Sequence, residues 1–342
     1  MANFFDRPQL GLKLALLSPR FDALVDKHFD GKSELTIWKL ILISKEDKGT
    51  KAKLLVKIDC NYVDFPLPNR QLPNKIRFRD LWIEYIDHSV IEFLRSNKQI
   101  WDRKGTKLEL YVYSDEAEDN QPIWEVFARQ IWPIFVPNIR HLRIDNGDAL
   151  DNFRCRTSPT ILTDLDQLNS IDTDRLFPDE ISDHFDGPNA TAGQALSKWL
   201  HTPTKNGQPK RLFCEDLDEE GNIDWINSFK EAFLRATTST ASYKVNFGNS
   251  TPIEPFELVN ERTKEKLTLE NVSSYGGGDW LLKRCPISEK EKAATDQWEN
   301  DENWDANLNK VTFNLWGGIN NSIGQLSPRA EEKADKSNKS VV

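Results

Sequence analysis

The sequence predicts an α/β fold in which short parallel strands alternate with helices. Apolar runs of strand length recur along the chain, and apolar stripes at helical spacing lie between them. Successive strand starts are mostly about 30 residues apart, a period typical of solenoid repeats. We therefore expect an irregular leucine-rich-repeat-like solenoid of parallel strands alternating with helices, with a doubly wound sheet as the alternative.

Residues 1–32 are predicted to form a short helical unit. Apolar residues recur at helical spacing from Leu10 to Leu17, and a second helix starts at Ser18-Pro19 and ends near Gly31. Both helices present one apolar surface.

Residues 33–250 are predicted to form the repeat-like α/β domain. Two strands come first, at 37–43 and 53–58, and a proline-rich connection follows them. The repeating strands are expected at 81–85, 108–112, 139–144, 168–171, 211–214 and 242–247. The helices between them are expected at 90–101, 123–135, 192–201 and 226–236.

The pattern changes near Pro252, and we expect residues 251–324 to form a β-hairpin and helix region of the same unit. Alternating apolar and polar residues at 256–260 and 265–269 flank a polar turn, which indicates a hairpin. Later elements are expected as strands at 280–283 and 310–314 and a charged helix at 289–304. The polar residues 325–342 are predicted to be a disordered tail.

Composition excludes several classes of protein. The 342 residues carry a net charge of -9, so we expect neither nucleic acid nor a membrane as a partner. No run reaches the roughly 18 to 20 apolar residues of a membrane helix, and the amino terminus does not have the pattern of a signal peptide. The 4 cysteines are scattered, which predicts reduced thiols and a cytoplasmic or nuclear location.

One acidic loop, at 216–227, partly matches an EF-hand calcium site. Asp216 and Asp218 fall at the first and third positions and Gly221 at the sixth, but Asn227 stands where the motif needs a bidentate glutamate. Sequence motifs of nucleotide-binding enzymes, zinc proteases and serine hydrolases do not occur. We therefore expect no catalytic residue, no metal and no cofactor, and a calcium-dependent hydrolase is the weakest alternative.

Residues 5–25, FDRPQLGLKLALLSPRFDALV, resemble the second half of an F-box, which has a leucine-rich helix, a short break and an arginine-aromatic pair leading another helix. The rest of the chain resembles a lineage-expanded family of nematode F-box proteins, especially those of plant-parasitic nematodes. The phrases that carry this resemblance run in order from about residue 5 to 315: "LGLKLALLSPRFDALVDKHF", "LPNKIRF", "IWPIF", "GQALSKWLHTP", "FELVNERTKEKLTL" and "WLLKRCPI".

The resemblance implies a non-catalytic, substrate-recognition subunit of an SCF-type E3 ubiquitin ligase. Its partners would be a Skp-type adaptor, a cullin and an unidentified protein substrate. The expected adaptor-binding residues are Leu10, Leu12, Leu14, Leu16, Phe21 and Leu24.

The Leu-Pro dipeptide and acidic first helix that begin an F-box have no counterpart before Phe5. Either the gene model is truncated or docking of the adaptor is weakened. The second hypothesis is accordingly a stand-alone protein-binding module that has lost Skp and cullin docking.

Overall fold

The computed structural model describes residues 35–38, 41–45, 52–58, 61–68, 71–72, 76–101, 105–111, 121–174, 176–178, 190–205, 207–215, 222–239, 242–248, 253–272, 278–287 and 308–314. The expected helical unit at 1–32, the charged helix at 289–304 and the tail at 325–342 lie outside these residues.

The described strands are β1 (Leu35–Trp38), β2 (Ile41–Lys45), β3 (Ala52–Ile58), β4 (Asn61–Pro66), β5 (Ile76–Phe78), β6 (Asp80–Ile83), β7 (Thr106–Tyr111), β8 (Ile139–Ile144), β9 (Ser170–Asp174), β10 (Lys210–Glu215), β11 (Tyr243–Gly248), β12 (Phe256–Asn260), β13 (Glu265–Asn271), β14 (Asp279–Pro286) and β15 (Asn309–Asn314). The described α-helices are α1 (His88–Ser96), α2 (Lys98–Trp101), α3 (Gln121–Val126), α4 (Trp132–Phe135), α5 (Gly147–Arg156), α6 (Ile161–Asp164), α7 (Ala192–His201) and α8 (Asn222–Arg235). A π-helical turn, Phe127–Ile131, joins α3 to α4, and a 3-10 turn, Val136–Asn138, follows α4.

One mixed sheet contains 13 of these strands, in the order β12-β13-β14-β11-β10-β9-β8-β7-β15-β6-β2-β3-β4, while β1 and β5 form a separate parallel pair. From β8 to β11 each strand pairs in parallel with the strand that precedes it in the chain. Strand β15 lies between β6 and β7 and is parallel to both. Both ends of the sheet are antiparallel, with β2-β3-β4 at one end and β11-β14-β13-β12 at the other.

The α/β class and the alternation of parallel strands with helices are confirmed. The predicted strand at 139–144 coincides with β8 and the predicted helix at 192–201 with α7, whereas the predicted helix at 90–101 is broken at Asn97. Helix α5 was not predicted because it buries few apolar side chains, and the Asn146 cap supports its start by accepting from the Ala149 amide at 2.8 Å.

Alternation of side chains along the strands builds the core on one face of the sheet. Two rows of buried side chains cross the sheet in register, and in most strands a polar residue separates them. The first row is Leu81, Val311, Leu108, Leu142, Ile171, Leu212, Val245 and Leu282, and the second is Ile83, Phe313, Leu110, Ile144, Thr173, Cys214, Phe247 and Trp280.

Helices cover this apolar face. The ring of Phe313 on β15 lies 5.2 Å from Phe127 in the π-helical turn and 5.9 Å from Phe135 on α4, and Phe153 on α5 lies 6.0 Å from Phe127. Burying one such side chain contributes about 1.5 to 3 kcal/mol, so this cluster holds β15 against the first helices. Among the described helices none is long and apolar enough to cross a membrane.

Buried polar side chains hold the ends of the fold together. Asp87 caps α1 and also accepts from the Ala52 amide of β3 at 3.1 Å. At the other end, the predicted hairpin is confirmed as β12 and β13, and Asn260 donates to the carbonyl of Phe233 at 2.6 Å at the end of α8. These bonds satisfy backbone groups that the helix and strand ends leave unpaired.

Candidate functional site

The face of the sheet opposite the helices is polar, and we call it the polar face. Its side chains alternate with the core residues and form three rows across the strands. The amino-end row is Asp80, Lys310, Lys107, His141, Ser170, Arg211, Lys244 and Lys283. The middle row is Trp82, Thr312, Glu109, Arg143, Asp172, Phe213, Asn246 and Leu281. The carboxyl-end row lies two residues beyond the middle row, toward the carboxyl ends of the parallel strands. It consists of Asn314, Tyr111, Asp174, Glu215, Gly248 and, on the antiparallel strand β14, Asp279.

These rows separate charge along the strand direction. The amino-end row is mostly basic, whereas the charged residues of the carboxyl-end row are all acidic. The two rows stand four residues apart, or about 13 Å at the usual rise of a strand. The polar face is therefore an electrical dipole, although the chain as a whole is acidic.

Glu109 is the centre of a nearly buried network on β7, β15 and their neighbours. Its side chain is 3% exposed, and it accepts from the Thr312 hydroxyl at 3.1 Å and from the Lys310 ammonium at 3.0 Å. Tyr111 also donates to Glu109, at 3.4 Å, and burial together with the Glu109 charge raises the pKa of Tyr111 to about 12. This carboxylate is compensated by its partners, so the network stabilises the fold here.

His141 and Asp172 form the next pair along the face, with 2.8 Å between Nε2 and Oδ2. Burial alone would raise the pKa of Asp172, but the interaction with His141 and the charge of Lys107 outweigh it and lower that pKa below its usual value. Asp172 is therefore ionised at neutral pH and is held by its neighbours.

Arg143 connects two acids of the carboxyl-end row. Its guanidinium lies 3.1 Å from Asp174 and contacts both carboxylate oxygens of Glu215, at 2.9 and 3.3 Å. The same group lies 5.7 Å from the centre of the Tyr111 ring, which stacks against Trp82. This bidentate geometry fixes the positions of the two acids.

Exposure increases toward β10, where Phe213 stands in the middle row. Phe213 is 41% exposed, although its register neighbours on the two flanking strands are the polar residues Asp172 and Asn246. A cleft of about 500 Å³ opens beside it at the carboxyl ends of β10 and β11, and we call it the carboxyl-end cleft. It is lined by Phe213, Cys214, Glu215, Asn246, Phe247, Gly248, Val272, Asp279 and Trp280.

Ligands of open α/β sheets bind outside the carboxyl ends of the strands, where the backbone and the following loops leave a crevice. The carboxyl-end cleft has this position, and its lining combines aromatic rings with two carboxylates. These groups can pack against an apolar group and attract a cation.

The residues expected to bind the adaptor, Leu10, Leu12, Leu14, Leu16, Phe21 and Leu24, lie outside the described residues, as do residues 216–221 of the acidic loop. Strand β10 precedes that loop and α8 begins at Asn222, which is only the seventh position of the calcium motif. In the part of the chain that the structure describes, no group of three or more His, Cys, Asp or Glu side chains could hold a metal ion.

The sequence did not lead us to expect the polar face of the sheet. Its signal is present in strands such as RHLRI, SIDTD and RLFCE, where charged or polar residues alternate with core residues. Which of these residues share a row depends on the order and register of the strands.

A scan against models of protein families, a search of curated proteins and a search of solved structures each find no match for this chain.

Proposed function

We propose that the chain is a non-catalytic protein-recognition subunit that binds its partner through the polar face and the carboxyl-end cleft. One observation carries the proposal: Phe213 is 41% exposed in the middle row of the charged polar face, beside the carboxyl-end cleft. Exposed aromatic side chains beside a cleft are typical anchors of protein interfaces, since they bury a large area when a partner covers them. The surrounding charges supply orientation and discrimination between partners.

In its specific form, we propose a substrate-recognition subunit of an SCF-type E3 ubiquitin ligase with a cytoplasmic or nuclear location. The ordered resemblance between about residues 5 and 315 supports this assignment. The architecture we propose is an irregular leucine-rich-repeat-like solenoid, because β7 to β11 follow one another across the sheet in chain order. In such a unit the face away from the helices is the natural surface for a substrate.

The alternative is a stand-alone binding module that does not engage the Skp-type adaptor. It would use the same polar face, so the two functions differ only in what the amino-terminal residues bind. The difference can therefore be measured without knowing the substrate.

The test is affinity purification of the tagged full chain from cells that contain the adaptor and the cullin, with a complete F-box protein as the positive control. The ligase function predicts enrichment of both, and a Leu14→Asp variant should lose both because it puts a charge among the leucines expected to bind the adaptor. A Phe213→Ser variant should retain both. If the control protein recovers the cullin and this chain does not, the ligase assignment fails and the stand-alone module stands.

A further inference from the structure

We propose that the carboxyl-end cleft binds an extended segment of a partner protein in which an apolar side chain stands beside a lysine or arginine. This inference rests on the proposed recognition function and specifies the chemistry of the segment that is recognised. The juxtaposition that carries it is one exposed aromatic side chain, Phe213, in the same cleft as the carboxylates of Glu215 and Asp279, at the carboxyl ends of two parallel strands.

The floor of the cleft is suited to an apolar side chain. Phe213 and Val272 are 41% and 43% exposed, and both would lose that exposure under an occupant. Phe247 and Trp280 also line the cleft, but both are buried and belong to the second core row. A cleft of about 500 Å³ falls within the usual range of ligand pockets and can hold one or two large side chains with their backbone.

The backbone side of the cleft is open to a peptide main chain. A Cβ atom placed on Gly248 would meet nothing within 4 Å, so no side chain of the described residues crowds the end of β11. Asn246 adds an amide to the lining, which offers one donor group and one acceptor. An extended segment carries one carbonyl and one amide per residue, which suits such groups.

The charge at the rim selects a cation. Glu215 and Asp279 line the cleft, and Asp174 adjoins Glu215 across β9 and β10. Arg143 contacts both Asp174 and Glu215 and holds them in place. The charged side chains that line the cleft, Glu215 and Asp279, are both acidic, so a lysine or arginine is attracted and an acidic segment is repelled.

The experiment measures the dissociation constant of the purified full chain for short fluorescein-labelled peptides by fluorescence anisotropy. The probe contains the sequence Arg-Leu-Arg, and the matched peptides contain Glu-Leu-Glu and Arg-Ser-Arg. We expect Arg-Leu-Arg to bind at least about tenfold more tightly than either matched peptide, since only it supplies both the anchor and the charge. Added salt should weaken its binding.

Two variants locate the binding. Phe213→Ala should weaken Arg-Leu-Arg about tenfold, and Asp279→Asn about threefold, as is usual for an anchor and a rim charge. The controls are Leu234→Ala, an exposed apolar residue on α8, and Glu254→Gln, an exposed acid before β12, and both should leave the affinity unchanged.

Equal binding of the three peptides, no binding of Arg-Leu-Arg at millimolar concentration, or an affinity unchanged by Phe213→Ala would overturn the assignment of the cleft. Recovery of the cullin in the purification described above would still support the ligase function in each of these cases. Failure of the cleft and failure of the ligase function are therefore distinguishable.

Discussion

The buried ion pair between Arg284 and Glu265 provides a quantitative test of how the carboxyl-terminal hairpin is held on the sheet. The two side chains are 3% and 2% exposed, and the guanidinium lies 2.6 Å from the carboxylate. Ser239 donates to the other oxygen of Glu265 at 2.9 Å, and Arg284 also lies over the Phe233 ring at 5.2 Å. The pair thus connects β13 and β14 to the end of α8.

An Arg284→Met variant keeps most of the side-chain volume but leaves the Glu265 carboxylate buried without its cation. Removing one partner of a buried pair costs about 3 to 5 kcal/mol of unfolding free energy, because the remaining charge is uncompensated. Replacing both partners, as Arg284→Met with Glu265→Leu, removes the desolvated charges together. We expect the double variant to lie within about 1 kcal/mol of the natural chain.

The chain also contains a matched exposed pair. Arg235 and Glu231 on α8 have the same 2.6 Å separation, but their side chains are 79% and 63% exposed. Arg235→Met should therefore cost less than about 0.5 kcal/mol, since water and side-chain entropy offset the attraction. The comparison isolates the effect of burial at constant residue types and distance.

The assay is urea unfolding followed by tryptophan fluorescence, with circular dichroism as a second probe of cooperativity. If Arg284→Met costs no more than Arg235→Met, the pair does not support the hairpin as described. A double variant as unstable as Arg284→Met alone would also refute the reasoning, because the loss would then come from packing and not from an unpaired charge.

Three further predictions concern Lys210, Asp172 and the acidic loop at 216–227. Burial lowers the pKa of Lys210 to about 7, and its ammonium lies 4.8 Å from the Trp199 ring. In the folded chain the charged form of Lys210 is therefore disfavoured, so Lys210→Met should stabilise by about 2 kcal/mol at pH 7 in urea unfolding, and the gain should shrink as the pH rises toward 10.5. A constant gain between pH 7 and 10.5 would contradict this. Asp172 has a lowered pKa in the folded state, so it contributes stability above about pH 4 that is lost as the pH falls through the folded pKa. The natural chain and Asp172→Asn should therefore differ in melting temperature at pH 7, and the difference should shrink as the pH falls below the lowered pKa of Asp172, whereas parallel curves would count against the pairing with His141. Calcium at a hundred times the dissociation constant of a functional site would stabilise by about 2.7 kcal/mol. We expect no shift of the melting temperature in millimolar calcium, because Asn227 replaces the bidentate glutamate, and a shift that Asp216→Ala abolishes would restore the calcium-site hypothesis.

Local sequence determined the α/β class, the position of β8 and α7, and the hairpin of β12 and β13. These elements depend on side-chain periodicity, caps and turn residues within a few positions of one another. Helix α7, for example, begins at a capping box. The Thr191 hydroxyl accepts from the Gln194 backbone amide, and the Gln194 side-chain oxygen accepts from the Thr191 backbone amide.

Tertiary structure alone decided where β15 lies and which residues form the candidate site. Thr312 on β15 contacts Glu109 on β7 across 203 positions of sequence, and Asn309 reaches the Ile100 carbonyl across 209. No local period encodes such a contact, because strand order and register are set by packing of the core against the helices. Alternation along a strand puts Phe213 and Leu212 on opposite sides of β10, but only the assembled sheet placed Phe213 on the polar face beside the acidic residues of the carboxyl-end cleft.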